Sequence, residues 1–289
     1  MGGNPSNPGL DEPELLAAPS LRSRGEAQIS TAFAAARSEG RAALMPYMMA
    51  GFPDRETALA VAAAYVDSGA DLIELGVPFS DPLADGPTIH AAATAALEAG
   101  ATFATALEVC RSVAERVPVV LMAYTNMVLA HGGPTEFARL ALAAGAAGAI
   151  VPDLPLGEAE DVRAEFSAQG LALVPLVAPT TSPERRAQIC AVARGFVYVV
   201  STVGTTGERA TIPASLARLV AATKAEAEVP VAVGFGIGTA AQAAEVGKVA
   251  DGVIVGSRLV RACGEGGSPQ GAADAVAGFL SEARVALAA

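Results

Sequence analysis

From residue 43 onward the sequence repeats one pattern. A short run of Val, Ile, Leu or Met is followed by a loop, then an Ala-rich stretch of helical period, and often a glycine before the next apolar run. Eight such runs occur, at 43–49, 71–75, 118–124, 147–151, 172–177, 196–201, 230–234 and 251–255. They are almost wholly apolar, as strands covered on both faces are, and their alternation with helices calls for parallel pairing through crossovers. The intervening stretches carry apolar stripes: in 56–68, Leu59, Ala62, Ala63 and Val66 share a face behind a helix cap at Asp54. Eight such βα units in about 250 residues predict an α/β fold of the TIM (β/α)8 barrel type rather than an open sheet.

Ahead of the repeat, residues 1–27 are rich in Gly, Pro, Asn and charge and read as a disordered tail, leaving 28–289 as a single barrel domain. Helical spacing begins near Ser30 and stops at Gly40, with Ile29 and Phe33 on one face, which predicts a helix capping one end of the barrel. The formal charge of −11 and the absence of a Lys/Arg cluster argue against a nucleic-acid partner. No apolar run reaches membrane-spanning length and no basic region leads into an apolar one at the start, so a cytoplasmic protein is expected. Cys110, Cys190 and Cys263 are far apart and read as packed, reduced thiols. His90 and His131 form no cluster with metal-ligand spacing, and no metal is expected.

In a barrel of this kind the chemistry lies at the carboxyl ends of the strands and in the loops that follow. The second run ends in a carboxylate, Glu74, and its loop supplies Asp81 and Asp85. Alternation puts Glu74 on one strand face with Leu72, and Ile73 with Leu75 on the other. An interior carboxylate is costly unless it is paired or used. Pairing needs a buried Lys or Arg, and no neighbouring strand carries one at comparable depth. Asp85, before Gly-Pro, is either a second acid of the site or a turn initiator; Asp81 and Asp153, each close to a Pro, read as turn or interface residues. Gly207, Gly234, Gly236 and Gly256 lie in the last three strand-end loops, and Ser257 is set to open a short helix. Backbone N–H groups there suit an anion, although glycines of tight βα turns give the same pattern.

The segments LIELGVPFSDPLADGPTI, PYMMAGFP, LMAYTN, VPDLP, the GTTG loop, GFGI and VGSR together closely resemble the tryptophan synthase α subunit, over nearly the whole chain from about Ser30. The resemblance implies a carbon–carbon lyase. It would cleave indole-3-glycerol phosphate to indole and glyceraldehyde 3-phosphate in a retro-aldol reaction, and pass indole to a β subunit in an α2β2 assembly. Carried over residue by residue, it implies Glu74 and Asp85 as the catalytic acids. Tyr198, Tyr47 and Tyr124 would border the substrate, and Thr206 would belong to a loop that closes over Asp85. Gly207, Gly236, Gly256 and Ser257 would hold the phosphate. It implies no cofactor in this chain, pyridoxal phosphate belonging to the β subunit, and docking near Asp81, Met127 and 152–155. The chain departs from some relatives in Phe196, which lacks a hydroxyl, in a short loop between Gly207 and Pro213, and in its N-terminal extension. Two other classes share part of this pattern: another sugar-phosphate barrel enzyme, expected to lack the Glu74/Asp85 pair, and a non-catalytic scaffold for a β subunit, against which the intact acids argue.

Overall fold

The computed structural model describes residues 24–200, 212–234 and 236–289. Among these, nine strands pair in parallel: β1 Ala43–Met49, β2 Ile73–Gly76, β3 Val119–Met122, β4 Gly148–Ile150, β5 Ala172–Val174, β6 Leu176–Val177, β7 Val197–Val200, β8 Val231–Gly234 and β9 Gly252–Val255. Their order is β5-β4-β3-β2-β1-β9-β8-β7-β6. The two ends of that order are neighbours in sequence, so the sheet closes on itself. The predicted fifth strand is thus split at Pro175, which has no N–H to give a ladder. Its carbonyl still accepts from Tyr198 N at 3.0 Å, and the segment hands over from β4 on one side to β7 on the other. This is the eight-unit barrel with one interrupted strand.

Strand alternation divides the core in two. Leu44, Ile73, Leu75, Val119, Leu121, Val197, Val231 and Val253 face outward and pack with the helices. Met45, Leu72, Val120, Ile150, Val174, Phe196 and Ile254 face inward and fill the lower barrel.

The N-terminal helix, Arg24–Ser38, seals the lower end by sending Ile29, Phe33 and Ala36 into that inner layer, with the Phe33 and Phe196 rings 5.7 Å apart. Each large apolar side chain so buried contributes about 1.5–3 kcal/mol. The helix starts six residues before the predicted Ser30 and takes in 24–27, which composition assigned to the tail. The cause is Gly25: a Cβ there would overlap the Ala147 carbonyl oxygen, so this glycine permits close approach of helix to barrel instead of breaking the helix. Residues 1–23 lie outside the described residues.

The lower rim is locked by charge. Arg41 donates to both carboxylate oxygens of Asp71, at 2.6 and 2.8 Å, and Asp71 also accepts from Leu44 N at 2.7 Å. Arg284, from the C-terminal helix Pro269–Leu287, reaches Glu39 at 2.9 Å and the Gly69 carbonyl at 2.9 Å. The buried basic residue of this region therefore serves Asp71 at the foot of the second unit, well away from Glu74 at its head. Asp54 caps the helix Arg55–Asp67 by accepting from Thr57 N at 2.8 Å, as its position predicts. All three cysteines are buried and free.

Candidate active site

At the opposite end of the barrel, Glu74 occupies the inner face of β2, with Tyr47 of β1 and Val120 of β3 as its cross-strand partners. It is 2% exposed, and its Oε2 has no hydrogen-bond partner among the described residues. An orphaned, fully buried carboxylate oxygen is a liability for folding alone. Burial first, and the nearby charge of Asp85 second, raise its pKa to about 8, so at neutral pH Glu74 is a neutral acid.

Asp85 lies on the loop between β2 and the helix Pro87–Glu98. Gly86 is that helix's N-cap, so Asp85 precedes the helix and does not occupy its cap position. Instead it faces Tyr124. The Tyr124 hydroxyl accepts the Ala84 N–H at 3.0 Å and donates toward Asp85, pinning the loop over the barrel mouth. Burial pushes the Asp85 pKa up, while Tyr124 and the charge of His90 pull it down. His90, which sequence reading left without a role, therefore contributes to the site's electrostatics from the first turn of the helix.

Three of the chain's four tyrosines gather around the two acids. Burial, then Asp85, then Glu74 hold the Tyr47 phenol well above its ordinary range; burial, then Glu74, then Asp85 do the same for Tyr198. Burial, followed by Asp85, raises Tyr124 as well. All three are thus neutral hydroxyls that can donate to carboxylates. Two of them sit where the next strand has no side chain. A Cβ on Gly76 would overlap the Tyr47 hydroxyl, and one on Gly234 would meet the Tyr198 hydroxyl at 2.5 Å.

The predicted phosphate residues Gly236, Gly256 and Ser257 lie beyond β8 and β9 at the same end of the barrel. Ser257 does open a helix, Ser257–Glu265, whose N-cap is Gly256 with no side-chain cap bond, so its first backbone N–H groups are left for another acceptor. Gly236 has φ +54, in the left-handed region. Thr206 and Gly207 lie outside the described residues, as do all residues from 201 to 211. Asp153 proves to be a tie between loops: it accepts from Thr125 N at 2.8 Å and Thr125 Oγ1 at 3.0 Å. Asp81 is exposed and bonded to Ser80. Phe196 belongs to the lower apolar layer. No group of three or more His, Cys, Asp or Glu among the described residues could hold a metal. No helix among them is long and apolar enough to cross a membrane.

A family model described as tryptophan synthase alpha chain matches residues 33–286. A tryptophan synthase alpha chain from Chloroflexus aggregans is 48% identical over 236 residues, covering 81% of this chain and 88% of its own. A protein named tryptophan synthase from Saccharomyces cerevisiae is 42% identical over 266 residues, 89% of this chain but 37% of that protein. Among solved structures, tryptophan synthase from Mycobacterium tuberculosis superposes with a TM-score of 0.84 at 39% identity, over 91% of this chain and 98% of the matched one. Barrel, buried acid and these likenesses agree: the chain belongs to the tryptophan synthase alpha chain family, lyases that cleave indole-3-glycerol phosphate to indole and glyceraldehyde 3-phosphate.

Proposed function

We propose that the cleavage runs on Glu74 and Asp85, and the observation that carries this reading is the orphaned Glu74 carboxyl on the inner wall beside Asp85. Glu74 enters neutral and gives its proton to C3 of the indole ring. The positive charge so created is delocalised onto the ring nitrogen, where the Asp85 carboxylate accepts a hydrogen bond that strengthens as the N–H becomes more acidic. Glu74, now a carboxylate, takes the proton of the hydroxyl on the adjoining side-chain carbon. That carbon becomes the aldehyde, its bond to C3 breaks, and the bonding pair returns to the ring as neutral indole. Glu74 ends protonated, so no proton is gained or lost.

Tyr198, Tyr47 and Tyr124 border the indole, and Tyr124 also fixes Asp85. Gly236, Gly256, Ser257 and Gly207 bind the phosphate through backbone N–H groups and the start of the helix Ser257–Glu265. Thr206 closes the loop over the site. The reaction needs no cofactor in this chain; pyridoxal phosphate belongs to the β subunit.

That β subunit docks on the strand-end face in an α2β2 assembly, in the cytoplasm. In support, Leu83 is 89% exposed in the loop after β2, close to Asp81, and Leu129 is 59% exposed on the short helix Thr125–Ala130, which also carries half-buried Met127 and is tied to the 152–155 loop through Asp153. An apolar-lined groove of about 420 Å³, with Leu154, Pro155 and Leu156 in its wall, continues this surface. The yeast relative, more than twice as long as the matched region, carries the whole synthase name on one chain.

The test is indole release from indole-3-glycerol phosphate, with and without a β subunit, by wild type, Glu74→Gln and Asp85→Asn. Wild type should form indole and folded Glu74→Gln should lose about 10²- to 10⁴-fold in kcat, the usual contribution of a positioned acid–base group. A folded Glu74→Gln that forms indole at the wild-type rate would overturn the assignment.

A further inference from the structure

The surroundings of Glu74 are lopsided. Beneath it the inner layer is apolar, made of Leu72, Met45, Val120 and Ile150. The ionisable groups that face it among the described residues are Asp85, Tyr47 and Tyr198. Asp85 is an acceptor and repels a carboxylate, which leaves the two phenols as donors. Tyr198 stands on β7, across the barrel; Tyr47 stands on the adjoining strand in direct register with Glu74. The Tyr47 ring crosses from β1 to β2 and rests its hydroxyl where a Gly76 side chain would be. Gly76 and Glu74 share the inner face of β2, so this hydroxyl is one side-chain position nearer the mouth than the carboxyl. The fourth tyrosine keeps it there: Tyr65, buried on the helix Arg55–Asp67, donates its hydroxyl to the Tyr47 carbonyl at 2.9 Å.

We propose that Tyr47 is a positioning residue for Glu74: its hydroxyl, seated over Gly76, donates the hydrogen bond that Glu74 needs once it has become a carboxylate. The inference rests on Glu74 as the proton-transfer residue. The neutral acid gains less from a donor than the carboxylate does. After protonation of C3, a buried anion with a bare oxygen would form, and a phenol already on the mouth side turns the carboxylate toward the hydroxyl it must deprotonate. The Tyr47 ring borders the indole; its oxygen acts on Glu74.

Tyr47→Phe separates the two roles, because it keeps the ring and removes one oxygen. The expected result is a loss in kcat of about 10- to 100-fold, the range for a hydrogen bond to a charged group, with KM unchanged within about twofold. Because the lost donor favoured the ionised carboxyl, the alkaline limb of kcat/KM should also move to higher pH. Tyr47→Phe with wild-type kcat and an unmoved limb overturns the proposal, and so does a rise in KM alone, which is what a wall residue would give. Glu74→Gln in the same assay keeps the two claims apart. If it is inactive while Tyr47→Phe is normal, only this inference fails; if it retains activity, the proton-transfer assignment fails.

Discussion

Replacing Glu74 by Gln should remove a loss of stability that grows with pH. In the unfolded chain the carboxyl ionises at about 4.5, whereas in the folded barrel it does so at about 8. Between those values the unfolded state has released a proton that the folded state still holds, so stability falls as pH rises through the window. The stability is undiminished below 4.5 and drains away up to 8. At pH 7 the loss is about 3 kcal/mol, and at pH 5 about 1 kcal/mol, from the linkage relation with about 1.4 kcal/mol per tenfold change. Glutamine has no such titration. Its amide is buried at some constant penalty, so the difference between wild type and Glu74→Gln should grow by about 2 kcal/mol from pH 5 to pH 7. Urea unfolding at the two pH values measures this directly. In a chain of this size the pH-dependent part, about 3 kcal/mol at pH 7, corresponds to about 5 °C in thermal midpoint, from which the amide penalty is subtracted. A stability difference that stays flat from pH 5 to pH 7 would mean that Glu74 is solvated or paired in solution, and the reasoning from its burial would fail.

Two further results are expected. The pH dependence of kcat/KM should be bell-shaped, with an alkaline limb near 8 as Glu74 loses its proton and an acid limb from protonation of Asp85. Burial lifts the acid limb above the ordinary aspartate range, and Asp85→Asn should abolish it; a profile still rising beyond pH 8 would require Glu74 to begin as a carboxylate. At the other end of the barrel, Arg41→Met should destabilise by about 3 kcal/mol in urea unfolding, because Asp71 loses its bidentate partner while it is almost fully buried. An effect below about 0.5 kcal/mol would show that Arg284 and the Leu44 N–H satisfy Asp71 alone.

The eight βα units, the helix capping the barrel and the sharing of one strand face by Glu74 and Leu72 were legible because each depends on local periodicity; which of the two faces points inward is seen only in the closed barrel. Asp85 was legible as an acid on the right loop but open between turn and site; what favours the site is Tyr124, which follows β3 and engages the same loop. What the sequence did not disclose depends on residues meeting at long range. Gly25 reads as a breaker until the Ala147 carbonyl is set against it. Pro175 sits inside an apolar run, and its effect is visible only when the run is seen to serve two different neighbours. Asp153 looks like an ordinary surface residue until its loop meets Thr125. The seating of Tyr47 over Gly76 is likewise a property of a register between two strands, and no spacing along either one contains it.

The clamp at the lower rim also sets an order in time. Asp71 at the foot of the second βα unit answers both to Arg41, thirty residues earlier, and to Arg284, 213 residues later. A ribosome adding about 5–20 residues each second therefore leaves Asp71 waiting about ten seconds or more before the residue that completes its base is made. During that interval β1 also lacks β9, its partner on one side, and the early strands present an open edge. The nascent chain depends on its last helix, and a product ending before Arg284 would be a candidate for chaperone capture and degradation, even though every residue proposed here for chemistry had already been synthesised.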